Sequence, residues 1–275
     1  MTRSLVITAD DFARDPGTTD TVLDLLRDGL VTATTLITVA DDAERAAEVA
    51  RALGVTPHLH ATLTRDRGMA WHPLSGLPSL MDADGLLFED SAYFDGAADT
   101  EHVLAELDAQ LRWMRARGLA PAAADSHAGT LYGLGGRSLL AEALTWCAAN
   151  DVAFRLPRDA ASYFGDALPA PVAQAHARAV AYADRLGVRL PQAILTNHGD
   201  ADQLGDYAAL RDSLIERLAE LPEGTSELFL HPSAAGAVPG PAGVAREWEA
   251  RLLRDERWRA VLETEGIRLV TGWWA

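Results

Sequence analysis

The chain has 275 residues, 48% of them hydrophobic, so it is long enough to bury a large core. Its net charge of −16, from 40 acidic and 24 basic residues, argues against nucleic acid or an anionic membrane as partner. The single cysteine, Cys147, excludes an intrachain disulfide, and no apolar run approaches the roughly 18 residues of a membrane span. Because no basic leader or apolar signal segment opens the chain, we expect a cytoplasmic protein.

Strand-like and helix-like patterns alternate along the chain. The predicted strands are residues 5–9, 33–39, 55–64, 122–126, 152–156, 188–195, 227–230 and 267–270. The predicted helices are residues 18–30, 42–53, 100–117, 137–150, 171–186, 207–221 and 244–265. Such alternation predicts an α/β fold with a parallel sheet.

Ionisable residues follow several of the predicted strands. Asp10 and Asp11 end the first strand, His58 and His60 lie in the third, Asp125 and His127 end the fourth, and His231 ends a late one. A barrel brings the carboxyl ends of all its strands to one rim, whereas an open sheet gathers ligands at a single switch point. We therefore predict one domain over residues 1–275, an irregular (β/α) barrel of seven or eight units with a long insertion after the third strand.

These residue types suit a divalent metal, because carboxylate oxygens and neutral imidazole nitrogens are its usual ligands. His58 and His60 share one face of a strand, so both can reach the same ion. They could equally be hydrogen-bonded structural histidines. Asp10 and Asp11 point to opposite faces unless the chain turns there, and the pair could instead cap the next helix.

Four blocks of the chain carry a family resemblance. They are Ile-Thr-Ala-Asp-Asp-Phe at 7–12, His-Ala-Thr-Leu-Thr at 60–64, Asp-Ser-His at 125–127 and His-Pro at 231–232. Residues 71–75 and 78–85 add a stretch of the long third loop. Together the blocks resemble the YdjC-like family of carbohydrate deacetylases, which includes chito-oligosaccharide and hopanoid-linked N-acetylglucosamine deacetylases. Ala13, His58 and Ser233 stand where that family usually has glycine.

The resemblance implies an irregular βα barrel with one divalent metal, Mg²⁺ or Zn²⁺ above all, held by Asp11, His60 and His127. It implies Asp10 as the acid–base residue, with His231 across the site. The reaction expected is removal of the acetyl group from an N-acetylated amino sugar or oligosaccharide, by a water that the metal activates. His58 would add a second imidazole near the metal.

Further side chains are candidates for substrate binding. Arg155 ends the fifth strand and could bind a sugar hydroxyl or orient Asp10, or simply form a salt bridge. Trp71 and Tyr132 offer aromatic faces for a sugar ring. The loop at residues 65–99 is rich in apolar side chains, which predicts a lid or a homodimer contact.

Two other functions fit part of the pattern. The His-x-His pair at His58 and His60 is also found in metal hydrolases of the amidohydrolase type, but those usually carry it on the first strand. The same barrel could also be a catalytically inactive sugar-binding protein. The presence of all five polar site residues, Asp10, Asp11, His60, His127 and His231, argues against that alternative.

Overall fold

The computed structural model describes residues 2–133, 136–164 and 168–273. Its strands are β1 (Arg3–Phe12), β2 (Ala33–Leu36), β3 (His58–Ala61), β4 (Ala123–Ser126), β5 (Ala153–Phe154), β6 (Ile194–Leu195), β7 (Gly224–Leu230) and β8 (Arg268–Leu269). Its helices are α1 (Pro16–Arg27), α2 (Ala43–Ala52), α3 (Ser91–Ala97), α4 (Thr100–Ala116), α5 (Leu140–Asn150), α6 (Ala161–Phe164), α7 (Ala170–Leu186), α8 (Ala201–Leu204), α9 (Tyr207–Ala219), α10 (Gly240–Leu252) and α11 (Glu256–Thr264).

The strands form a sheet in the order β5-β4-β3-β2-β1-β7-β6, and β8 pairs with β1. The pairing is parallel between β1 and β7, with Ile7 opposite Leu228, and between β3 and β4, with His60 opposite Asp125. The predicted α/β fold, an irregular barrel-type parallel sheet with a long segment after the third strand, is confirmed. None of the helices in the described residues has the length and apolar character needed to cross a membrane.

The chain divides into two compact units. The first, called here the carboxylate unit, comprises residues 1–34, 156–176 and 190–275. The second, the imidazole unit, comprises residues 35–155 and 177–189. The single-domain organisation over residues 1–275 stays a prediction.

The carboxylate unit is built around β1, which pairs with both β7 and β8. Leu5, Val6 and Ile7 are buried in consecutive positions, so both faces of this strand are covered. The strand leads into α1, whose start is set by Asp15, because its side chain accepts a hydrogen bond from the Thr18 amide and Pro16 occupies the first turn. The catalytic candidates on β1 therefore sit at the end of a rigid element.

The imidazole unit contains β3, β4 and β5, with α4 packed against β3. The apolar side chains of α4, Val103, Leu107, Leu111 and Met114, are buried at the helical spacing that the sequence predicts. Glu106 and Gln110 are buried on the same helix, one turn apart. Two polar groups inside an apolar face need internal partners, and both have them, as described below.

Several predicted boundaries are wrong. The helix predicted at 244–265 is two helices, α10 and α11, because the Asp255 side chain accepts from the Arg257 amide and begins a new helix. The strand predicted at 188–195 is only Ile194–Leu195, since Pro191 cannot donate to a ladder. The loop predicted at 65–99 contains α3 and a single-turn helix at Pro78–Leu80.

Candidate active site

Two imidazoles face each other in the imidazole unit. His60 lies in β3 and His127 directly follows β4, and both are buried. The Nε2 atom of His60 and the Nδ1 atom of His127 are 3.2 Å apart. The two rings meet edge to face at an interplanar angle of 74°.

The buried ion pair of Asp125 and Arg155 holds the His60 ring at its Nδ1 atom. Its Nδ1 atom lies 2.8 Å and 2.9 Å from the two carboxylate oxygens of Asp125, its cross-strand partner. The Arg155 guanidinium donates to Asp125 Oδ2 at 2.5 Å. Burial opposes ionisation of Asp125, but the positive charge of Arg155 and the hydrogen bond from His60 hold its pKa below the usual value. An ionised Asp125 accepts the Nδ1 proton, which leaves the lone pair of His60 on Nε2.

His127 is held in the same way by a different carboxylate. Its Nε2 atom is 3.0 Å from Asp66 Oδ1, and the edge of the Trp71 ring lies against it with ring centroids 5.6 Å apart. When Asp66 accepts the Nε2 proton, the lone pair of His127 is on Nδ1. The chain then turns sharply away, with Ala128 and Gly129 at φ values of 50° and 67°.

This arrangement fits a bound cation. Two lone-pair nitrogens, each with its proton committed to a carboxylate, cannot hydrogen-bond to one another. Their separation of 3.2 Å matches the roughly 3.3 Å between two nitrogens that bind one tetrahedral zinc at ~2.05 Å. Carboxylates behind metal-binding imidazoles are the usual supporting groups of such sites. Buried Asp and His side chains of this chain could thus hold a metal ion.

His58 lies two residues before His60 on β3 and is also buried. Burial, followed by the positive charge of Arg155, lowers the pKa of His58 to about 4. The ring is therefore a neutral imidazole at pH 7.

In the carboxylate unit, Asp10 and Asp11 are both buried at the end of β1. Asp11 has a φ of 63° and Ala13 a φ of 80°, so the strand conformation breaks here. Neighbouring side chains of a regular strand point to opposite faces, so a turn here is needed if both carboxylates are to face one site. The break also gives a reason for the glycine usual at position 13 of the resembling family, since a positive φ favours glycine. The Asp11 carboxylate forms an ion pair with Arg246 of α10, with an N–O distance of 2.7 Å.

His231 follows β7 in the same unit. Its Nε2 atom is 4.0 Å from Asp10 Oδ2, which is too long for a hydrogen bond. The His231 amide donates to Glu249 Oε2 at 2.6 Å. Glu249 is buried and also accepts from the Asn197 side chain at 2.8 Å. Glu249 thereby fixes the backbone from which His231 projects.

The predicted substrate-binding residues have partners within the imidazole unit. Tyr132 donates its hydroxyl proton to the Arg155 carbonyl at 2.5 Å and packs its ring against Phe154. Trp71 is only 2% exposed, and Arg155 is committed in part to Asp125. Trp71 contacts His127, and Arg155 contacts Asp125, the carboxylate that holds His60. Contact of the three side chains with substrate stays a prediction.

Sequence reasoning missed three supporting residues, Asp66, Arg246 and Glu249. Arg246 and Glu249 are three residues apart on α10, so they share a helix face. A charged pair at that spacing, within a helix that also buries Ala245, Ala250 and Leu252, was the available signal. Asp66 carried no comparable signal, because it begins a loop.

Comparisons with known proteins show the family and the fold of this chain. The model of the family described as "YdjC-like protein" matches residues 4–264. A mouse protein named "Carbohydrate deacetylase" is 30% identical over 96% of this chain and 92% of its own length. The chain belongs to the YdjC-like family.

One further relative and one solved structure also resemble this chain. A Yersinia pestis (strain Pestoides F) protein named "Chitooligosaccharide deacetylase" is 33% identical over 46% of this chain and 50% of its own length. The crystal structure of an Enterococcus faecalis V583 protein, provisionally named a cellobiose-phosphate cleavage protein, superposes with a TM-score of 0.78 at 24% identity. It covers 98% of this chain and 97% of that one. At this identity, the likeness shows the fold alone.

Proposed function

We propose that this protein is a metal-dependent hydrolase that removes the acetyl group from an N-acetylated amino sugar or oligosaccharide. The observation that carries the proposal is the facing pair of imidazole nitrogens, 3.2 Å apart, each backed by a carboxylate. The names of the mouse and Yersinia relatives support a carbohydrate deacetylase.

We propose Asp11 as the third ligand, beside His60 and His127. All three are buried and offer ligand atoms of the kind that Mg²⁺ or Zn²⁺ takes, and two imidazoles favour zinc over magnesium. Asp10, His60 and Asp125 offer an alternative donor set. That set is less suitable, because Asp125 contacts His60 at Nδ1, whereas the nitrogen that faces His127 is Nε2.

Asp10 and His231 would carry the protons. When bound, a divalent metal polarises the amide carbonyl and lowers the pKa of a water. Asp10, next to the ligand Asp11 in sequence, takes the proton of the attacking water as general base. His231, 4.0 Å from Asp10, gives a proton to the leaving sugar nitrogen. The products are acetate and a free amino sugar.

We propose that the saccharide contacts Trp71, Tyr132 and Arg155. Trp71 is almost fully buried, so it can expose little of its ring to a saccharide. Its contribution is to pack against His127. We propose Arg155, whose Nη1 atom donates to Asp125, as a hydrogen-bond donor to a sugar hydroxyl.

A substrate screen tests the proposal. N-acetylglucosamine, its β-1,4-linked oligomers and other N-acetylated saccharides are incubated with the protein and with Mg²⁺, Mn²⁺, Co²⁺, Ni²⁺ or Zn²⁺, and released acetate is measured. We expect acetate from at least one amino sugar, only with metal present, and none after the His60→Ala change. Binding of metal without acetate release from any N-acetyl sugar would contradict deacetylation and favour an inactive sugar-binding barrel.

A further inference from the structure

The segment at residues 65–99 reaches the imidazole pair through its second residue. Asp66 Oδ1 lies 3.0 Å from His127 Nε2, the nitrogen that points away from His60. The Asp66 carboxylate is one-quarter exposed, whereas the His127 ring is almost fully buried. Thus a loop residue, rather than a strand residue, supports one of the two imidazoles.

Arg65 ties the start of this segment to its far side. Its amide donates to the Phe88 carbonyl at 2.9 Å, and its guanidinium donates to the Leu87 carbonyl at 2.8 Å and to Glu89 at 2.9 Å. The Leu87 amide in turn donates to the carbonyl of Trp71, the ring that touches His127. The position of Asp66 therefore depends on the folding of the segment around it.

The middle of the segment is anchored to α4. Glu106, fully buried, accepts from the amides of Leu74 and Ser75 at 3.0 Å and 2.7 Å. Glu106 also accepts from Gln110, which donates to the carbonyl of Thr62 and accepts from its amide. This network connects the segment to the end of β3, two residues beyond His60.

We propose that Asp66 is a positioning residue for the metal site, and that through it the segment at 65–99 and the bound metal order each other. The carboxylate accepts the Nε2 proton of His127, holds the ring in its orientation and leaves the Nδ1 lone pair directed at the ion. Outer carboxylates of this kind raise ligand basicity and fix the tautomer. The inference rests on the proposed metal site.

Reciprocity follows from this coupling. If the ordered segment strengthens metal binding, then the metal must stabilise the ordered segment by the same factor. A metal-loaded protein should therefore show slower amide hydrogen exchange in residues 65–76 than the metal-stripped protein. A segment that merely covers the site, without contact to a ligand, would gain no such protection from metal alone.

The test compares metal affinity and exchange in four variants, Asp66→Ala, Asp66→Asn, His60→Ala and the control Asp84→Asn, which changes an exposed loop carboxylate. Zn²⁺ affinity is measured by competition with a chelator, and Co²⁺ absorption reports the ligand geometry. We expect Asp66→Ala to bind metal about 10–100-fold more weakly. Asp66→Asn should lose less, because its amide oxygen still accepts the Nε2 proton. The control should match the wild type.

The outcomes separate the two claims. If His60→Ala binds Zn²⁺ as tightly as the wild type, the proposed metal site itself is wrong. If His60→Ala loses the metal while Asp66→Ala keeps wild-type affinity and wild-type metal-induced protection of 65–76, only the role of Asp66 is overturned. If Asp66→Asn and Asp66→Ala lose affinity equally, the effect is one of net charge, and positioning is overturned. Wild-type melting behaviour of the Asn variant controls for folding.

Discussion

The Nε2 atom of His60 and the Nδ1 atom of His127 face each other at 3.2 Å, and the opposite nitrogen of each ring is held by a carboxylate. The two histidines thus face each other through different ring nitrogens, Nε2 in His60 and Nδ1 in His127. Each protein carboxylate decides which nitrogen that is, because it takes the other nitrogen's proton. The lone pairs of both rings are therefore directed into the space between the two histidines, which suits the binding of one cation.

The two histidines of β3 should differ in their effect on metal binding. His60→Ala removes a nitrogen of the facing pair and should abolish metal retention through gel filtration. His58→Ala removes a buried neutral ring whose pKa is lowered to about 4, and should weaken retention less. Metal content per protein, measured by mass spectrometry, checks this. Equal loss in the two variants would mean that the ligand set is assigned wrongly.

Asp10 should matter to turnover more than to metal binding. Asp10→Asn keeps the shape of the side chain but loses the base. We expect the metal content of the wild type and a rate of acetate release lower by about 10²–10⁴-fold. Loss of the metal along with activity would instead make Asp10 a ligand.

His231 should act on the leaving nitrogen. Removing an acid hurts substrates with strongly basic leaving amines most, so His231→Ala should slow N-acetyl sugars more than anilide-type acetyl substrates. It should also remove one limb of the pH–rate profile. His72→Ala, which changes an exposed loop histidine, is the control. An unchanged rate and pH profile for His231→Ala would leave this residue a structural role only.

Glu106 should stabilise the protein through the segment at 65–99. Glu106→Gln replaces an acceptor oxygen by a donor, so the amide of Leu74 or of Ser75 loses its partner. We expect a loss of about 1–3 kcal/mol in the free energy of unfolding and faster proteolysis within the segment. Glu101→Gln, on the exposed side of the same helix, should change stability far less. Identical urea midpoints for the two variants would contradict the anchoring role.

The parts of the fold that local pattern determines were predictable. The apolar residues at Leu5–Ala9 predict the centre of β1, and the helical spacing of Val103, Leu107 and Leu111 predicts α4. The ends of strands also marked His60 and His127, because a polar residue after a buried strand is conspicuous. A helix boundary that depends on one capping residue was missed, because Asp255 begins a new helix where the sequence predicted a continuous one.

The contacts that the supporting residues make were not predictable, for a physical reason. Asp66 meets His127 across 61 positions of sequence, and Glu249 meets His231 across 18. Such contacts are set by packing of separate elements, and neither periodicity nor propensity records them. Trp71 shows the same limit: an aromatic residue in a long loop predicts a face for a sugar ring, whereas tertiary packing buries it against His127.

The most direct test of metal-dependent deacetylation is reconstitution of the metal-stripped protein. Chelator-treated protein is mixed with an N-acetylated oligosaccharide identified by the screen, and Zn²⁺ or Mg²⁺ is added in steps while acetate is measured. We predict no acetate without metal and an activity that rises to a plateau at one ion per chain. The His127→Ala and Asp11→Ala proteins should stay inactive at the same metal concentrations. Full acetate release by the metal-stripped protein, or by either variant, would contradict this prediction.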